Sequence, residues 1–133
     1  MTEHDIRISQ YPEQIAVVRL GSGAMVPEWA ESSSVFSITA TATHTTLVCA
    51  ARSVPKKARH VRSFTAFSAL GTPDLEKPGT LLSLIAPLAA VGISVVPVAT
   101  FDEPWLLVPQ NDANAAAEEW RRQGFTVAPA KPA

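Results

Sequence analysis

A single cysteine, Cys49, stands among 133 residues. The chain can therefore close no internal disulfide and build no cysteine cage for zinc. The three histidines, His4, His44 and His60, share no metal-ligand spacing, so neither a metal nor any other cofactor is expected. Glycine is equally sparse, and no run of it forms a P-loop or a dinucleotide fingerprint. Charge is low and nearly balanced, with a formal net charge of -1; no positive field draws in nucleic acid or an anionic membrane. The longest apolar stretch, "LLSLIAPLAAVGISVVPVA", is broken by Pro87, Gly92 and Pro97. It reads as a buried helix running into a buried strand rather than a membrane span. The polar, acidic opening "MTEHDIRISQ" fits no secretory signal, and with the lone thiol it points to a cytoplasmic protein.

Apolar side chains are plentiful, 47% of the chain, enough for one ordinary domain or for two small ones. "QIAVVRL", residues 14–20, is β-branched and bounded by "GSG", which predicts a strand and a loop. Pro27 suits a first helical position, so "PEWAES" is expected to form one helical turn. "SVFSITAT" and "TLVCAAR" read as a hairpin, "VPKKARHVR" as a basic solvated turn, and "VRSFTAFSAL" as a further strand ending at Gly71. "TPDLEKPG" is a loop by composition.

Leu81, Leu84, Ile85 and Leu88 then fall at helical spacing, with Thr80 as a possible cap, Pro87 as an internal disturbance and Gly92 as the stop. "ISVVPVAT" is an edge-type strand because of Pro97, and "WLLVP" is its antiparallel partner across "FDEP". Asn111 or Asp112 caps a second helix with Ala113, Ala116, Ala117 and Trp120 on one face, Gly124 ends it, and "FTVAP" forms a last strand. The second half thus runs strand, helix, strand, strand, helix, strand, a ferredoxin-like unit. The first half looks like a truncated copy. An α+β protein of two ferredoxin-like (βαββαβ) modules follows, with residues 12–58 as the N-terminal module and 59–129 as the C-terminal one.

"IAVVRL", "PEWA", "FSITAT" leading into "TLVCAAR", and "GTLLSLIAPLAAVGISVVPVAT" followed by "FDEPWLLVP" together resemble the ACT domain family. The likeness is to stand-alone tandem-ACT proteins related to the arginine-sensing CASTOR proteins and to aspartate kinase regulatory modules. It spans roughly residues 14–128. The resemblance implies a non-catalytic regulatory fold that binds a small ligand, typically an amino acid, where ACT units meet. Carried over by position, the glycine-led helix start is Gly79, Thr80 and Leu81; a "ST" pair becomes Ala99 and Thr100; the first turn aspartate is Asp102. The family's second turn aspartate is replaced by Pro104 and the preceding threonine by Glu103. In the first module "HTTLV" offers His44, Thr45 and Thr46 where the family often has an acid and a serine.

Physical chemistry supplies its own reasons for these positions. A helix N-terminus presents unpaired N–H groups and partial positive charge to a carboxylate, and Gly79 permits close approach. Asp102 and Glu103 could meet an ammonium, and His44 could hydrogen-bond a ligand; each also suits a solvated turn. The expected ligand-binding set is Gly79, Thr80, Leu81, Thr100, Asp102, His44 and Thr46. No catalytic or metal residue is expected, and the partners are a small molecule and a second copy of the chain in a homodimer. A structural or protein-interaction module that binds no metabolite is the alternative. Cys49 lies in an apolar strand and reads as a small core residue.

Overall fold

The first strand, β1, runs from Arg7 to Leu20 and so begins well before the β-branched run at residue 14 that announces it. The computed structural model describes residues 6–71 and 78–131. After β1 come β2 (Ser37–Ala40), β3 (Thr45–Ala50), β4 (His60–Leu70), α1 (Thr80–Ala90), β5 (Val96–Ala99), β6 (Pro104–Pro109), α2 (Ala113–Arg122) and β7 (Thr126–Pro129). These pack as two units, one of residues Glu13–Phe64 and one of Met1–Pro12 with Thr65–Ala133. Strands β1 and β4 each give one part to each unit. Most of the loop "TPDLEKPG" lies outside the described residues.

The larger unit holds the order β4–α1–β5–β6–α2–β7 expected of a ferredoxin-like module. Its strands line up as β7, β1, β4, β6 and β5, so the opening part of β1 is inserted between the module's own first and last strands. Arg7 and Ile8 pair in parallel with Thr126 and Val127. The opening of the chain reads as polar, yet Ile6 and Ile8 are buried; their spacing of two puts both on the core face of the strand. Strand β5 pairs with β6 and lies at the end of the order, where Pro97 removes no interior ladder bond.

Both helices of this unit stop by the same device. Ile93 N–H bonds to Leu88 O at 2.9 Å and Gly92 N–H to Ala89 O at 3.1 Å; Phe125 N–H bonds to Trp120 O at 3.0 Å and Gly124 N–H to Arg121 O at 3.0 Å. These are paired Schellman bonds, which need the left-handed backbone that Gly92 (φ 80°) and Gly124 (φ 100°) adopt. The helix starts differ from expectation. Gly79, not Thr80, occupies the cap of α1, and Asp112 makes no side-chain cap bond to α2. A 3-10 turn at Gln110–Asp112 leads into α2 instead.

The core of this unit gathers Ile8, Phe67, Leu84, Leu88, Leu106 and Trp120 between helices and sheet. Trp120 is fully buried. Its Nε1–H donates to Leu84 O at 2.8 Å, and its ring meets Phe67 edge-on, with centroids 4.9 Å apart. Leu81 departs from the predicted apolar face, being 42% exposed. Side chains on a helix lean toward its N-terminus, so a first-turn residue points past the helix end.

The smaller unit contains no α-helix among its described residues. Its strand order is β2, β3, β1, β4, with Val18 opposite Leu47 and Ala16 opposite Cys49. The expected helical turn at Pro27 is a bend closed by Ala30 N–H to Pro27 O at 3.1 Å. One helical turn fixes several dihedrals for a single hydrogen bond, so the segment gains more by packing Trp29 and Ala30 onto Val18 and Leu47. Glu31 then ties the loop down: its carbonyl accepts Ala50 N–H at 2.8 Å, and its carboxylate pairs with Arg52 at 3.0 Å.

Replacing Trp120 tests the first of these cores. Trp120→Ala should cost about 3–5 kcal/mol, and Trp120→Phe, which mainly deletes the bond to Leu84, about 1 kcal/mol, both read by urea unfolding. Equal losses in the two variants would show that the indole bond, not ring volume, dominates.

Candidate ligand sites

The residues singled out from sequence fall into two groups, one in each unit. Gly79 caps α1 in the left-handed region, at φ 87°, and a Cβ placed there would meet nothing within 4 Å. The backbone is thus openly approachable. Ser83 N–H bonds to Gly79 O at 3.0 Å to start the helix, and the Ser83 hydroxyl donates to Thr80 O at 2.7 Å. No side chain caps the helix and its first turn carries no acid. The N–H groups of that turn, including those of Thr80 and Leu81, keep the donor capacity every helix start has.

Thr100 holds the β5–β6 turn together rather than standing free. Its hydroxyl donates to Glu103 O and accepts Glu103 N–H. Asp102, at the tip of that turn, is exposed and takes part in none of the ion pairs of the described residues. Trp105, just beyond it, stacks on Tyr11 with centroids 4.9 Å apart, and the Tyr11 hydroxyl lies 3.3 Å from Ser68 Oγ. Pro104 opens β6, so the turn keeps its shape with no acid at that position.

His44 and Thr46 belong to the smaller unit, and the fold brings them together. Both line an open cleft of about 360 Å³, with Arg19, Arg59, His60 and Val17. The β2–β3 hairpin fixes His44: its N–H bonds to Thr41 Oγ1 at 3.2 Å, its carbonyl accepts Thr41 N–H at 2.9 Å, and its Nδ1 lies 3.0 Å from Thr43 Oγ1. Arg19 sits opposite Thr46 in the β1–β3 ladder, and Arg19 N–H bonds to Arg59 O at 2.9 Å. His60 Nδ1–H donates to Ala58 O at 2.6 Å.

Arg19, Arg59 and His60 were invisible as site residues in the sequence. The one signal was the basic connector "VPKKARHVR", which reads as a solvated turn. Only the pairing of β1 with β4 sets Arg59 beside Arg19, forty residues away in the chain.

Among the described residues no three His, Cys, Asp or Glu side chains gather as a metal site, and no helix is long and apolar enough to cross a membrane. Cys49 is fully buried in β3, and burial pushes its thiol pKa up, because the thiolate would lose its hydration. The native thiol should therefore resist a disulfide reagent at neutral pH and react within the dead time once unfolded in urea. Prompt labelling of the folded protein would contradict its burial.

Comparison with known proteins gives two family matches. Residues 59–118 match an ACT domain model, and residues 13–57 match a separate model described as an N-terminal domain. No curated protein matches the chain. Among solved structures, a protein from Agrobacterium tumefaciens is 28% identical, with a TM-score of 0.85 over 96% of this chain and 95% of that one. The ligand-free regulatory subunit of aspartate kinase from Thermus thermophilus is 8% identical, with a TM-score of 0.60 over 86% of this chain and 95% of that one. Aspartate kinase from Synechocystis is 13% identical, with a TM-score of 0.70, and here the match takes 98% of this chain but 29% of the enzyme. The fold is a tandem ACT-like one, mixed α and β and dominated by its sheet.

Proposed function

We propose that this tandem ACT-like chain is a non-catalytic regulatory protein that binds a small molecule, with an amino acid as the first candidate, and works in the cytoplasm as a homodimer. The observation that carries the reading is the start of α1 inside the segment that matches the ACT domain. There an uncapped helix opens on a left-handed glycine with free space above it. A ligand carboxylate would accept N–H bonds from Thr80 and Leu81, helped by the helix dipole. Asp102 is an exposed acid, unpaired among the described residues, at the tip of the β5–β6 turn and suited to a ligand ammonium, while Thr100 keeps that turn in shape. His44 and Thr46 are candidate polar contacts within the smaller unit, in its own cleft. The likeness to a regulatory subunit of aspartate kinase supports a regulatory role through shared fold.

A second reading, an interaction module that binds no metabolite, is favoured by apolar side chains left in solvent. Leu82 of α1 is 68% exposed, Val91 just past the helix end 52%, and Phe101 in the β5–β6 turn 85%. Leu82, exposed on α1, would serve the homodimer of the first reading.

Thermal-shift titration against the common amino acids separates the two. A ligand at a hundredfold its Kd adds about 2.7 kcal/mol of stability, which raises the melting temperature by several degrees. Asp102→Asn should weaken that response about tenfold or more without altering the unliganded melting temperature. A flat response to every amino acid would leave the interaction module. Sedimentation should find a dimer, and Leu82→Glu should convert it to monomer; a wild-type monomer at high concentration would exclude the homodimer.

A further inference from the structure

The cleft of the smaller unit has a chemistry that an amino acid does not explain. Arg19, Arg59, His44 and His60 line it, and among the described residues no Asp or Glu does. Three other arginines of the described residues have found acids: Arg52 pairs with Glu31, Arg121 with Glu118 and Arg122 with Glu119. Arg19 and Arg59 have none among the described residues, and a backbone bond from Arg19 N–H to Arg59 O joins the two positions. Arginines without an acid partner can give charge-assisted, bidentate hydrogen bonds to an anion.

Three of the surrounding residues, Thr46, His60 and His44, are held by strand pairing or hydrogen bonds. Thr46 stands opposite Arg19 in the ladder. His60 uses its Nδ1–H on Ala58 O, which leaves Nε2 as the ring's remaining polar atom. His44 is held by the Thr41 and Thr43 bonds of the hairpin. Holding the two imidazoles in place lowers the ordering cost of binding.

We propose that this cleft is a separate ligand site for a small organic anion, one bearing two or more carboxylate or phosphate oxygens close together. A zwitterion fits poorly, because its ammonium would face arginine with no acid to answer it. The valines of the wall, Val17 and Val61 among them, favour a ligand with a carbon frame over a bare inorganic ion. About 360 Å³ is at the lower end of the range of small-molecule sites, suited to a metabolite of few carbons. The inference goes beyond the amino-acid reading: it moves His44 and Thr46 to anion contacts and adds Arg19, Arg59 and His60.

Calorimetric titration at low ionic strength, where exposed charges are least screened, tests it. The probes are succinate, citrate, glycerol phosphate and inorganic phosphate, with glycine as the zwitterion. At least one organic anion should bind more tightly than inorganic phosphate or glycine, and whether carboxylates or phosphates lead identifies the headgroup. Arg19→Gln and Arg59→Gln should each weaken that binding about ten- to a hundredfold and leave the melting temperature in place. Lys56→Gln, an equal change of charge on an exposed residue outside the cleft, should alter it little. The site is overturned if no organic anion binds, if inorganic phosphate binds as well as they do, or if Lys56→Gln costs as much as the arginine variants. Amino-acid binding that disappears in Asp102→Asn and survives in Arg19→Gln would uphold the earlier reading even where every anion failed.

Discussion

The hydrogen bond from Trp120 to the backbone of Leu84 sets the geometry on which the larger unit depends. An indole N–H without a partner would be costly at full burial, so the ring can occupy the core only where it finds an acceptor. The carbonyl it finds belongs to α1, one turn past the helix start. That single contact orients α2 against α1 while the ring face packs beside Phe67 of β4. Helices and sheet are thereby held in one arrangement. The open glycine at the head of α1 inherits its position from this core, since Leu84 and Leu88 anchor the helix from below.

The smaller unit solves the same problem without a helix. Its sheet buries Ala16, Val18, Leu47 and Cys49, and the cover comes from loop side chains, Trp29 above all. A loop can do this only if its backbone polar groups are satisfied, as the Glu31 carbonyl is by Ala50 N–H, while the Glu31 carboxylate pairs with Arg52. With one sheet face closed in this way, the other is free to carry Arg19 and Thr46. Alternation along β1 does the sorting: Val18 faces the core, Arg19 faces away.

Much of this was legible in the sequence for plain reasons. Helix periodicity and glycine stops located α1 and α2, because Leu84, Leu88, Ala116 and Trp120 can be buried on one side only at that spacing. The β5–β6 hairpin followed from two apolar runs around "FDEP", and the fold class followed from the order of elements. Three features did not follow. The opening strand was hidden by polar residues and Pro12, because its partner β7 is over a hundred residues away. The supposed helix at Pro27 was too short to outweigh the burial of Trp29. Thr80 seemed a cap by type, yet a left-handed glycine already held the place.

The sequence by itself determined both α-helices and where they stop, most of the strands, and that the chain closes no internal disulfide, since these rest on local periodicity, backbone preference and residue counts. Tertiary structure decided the two things that concern ligands. It left the Gly79 backbone uncovered, and it drew Arg19, Arg59, His44 and His60 to one cleft. The first depends on how α1 packs on the core and the second on strand pairing between distant residues; both are set by how whole faces bury, which no short stretch of sequence specifies.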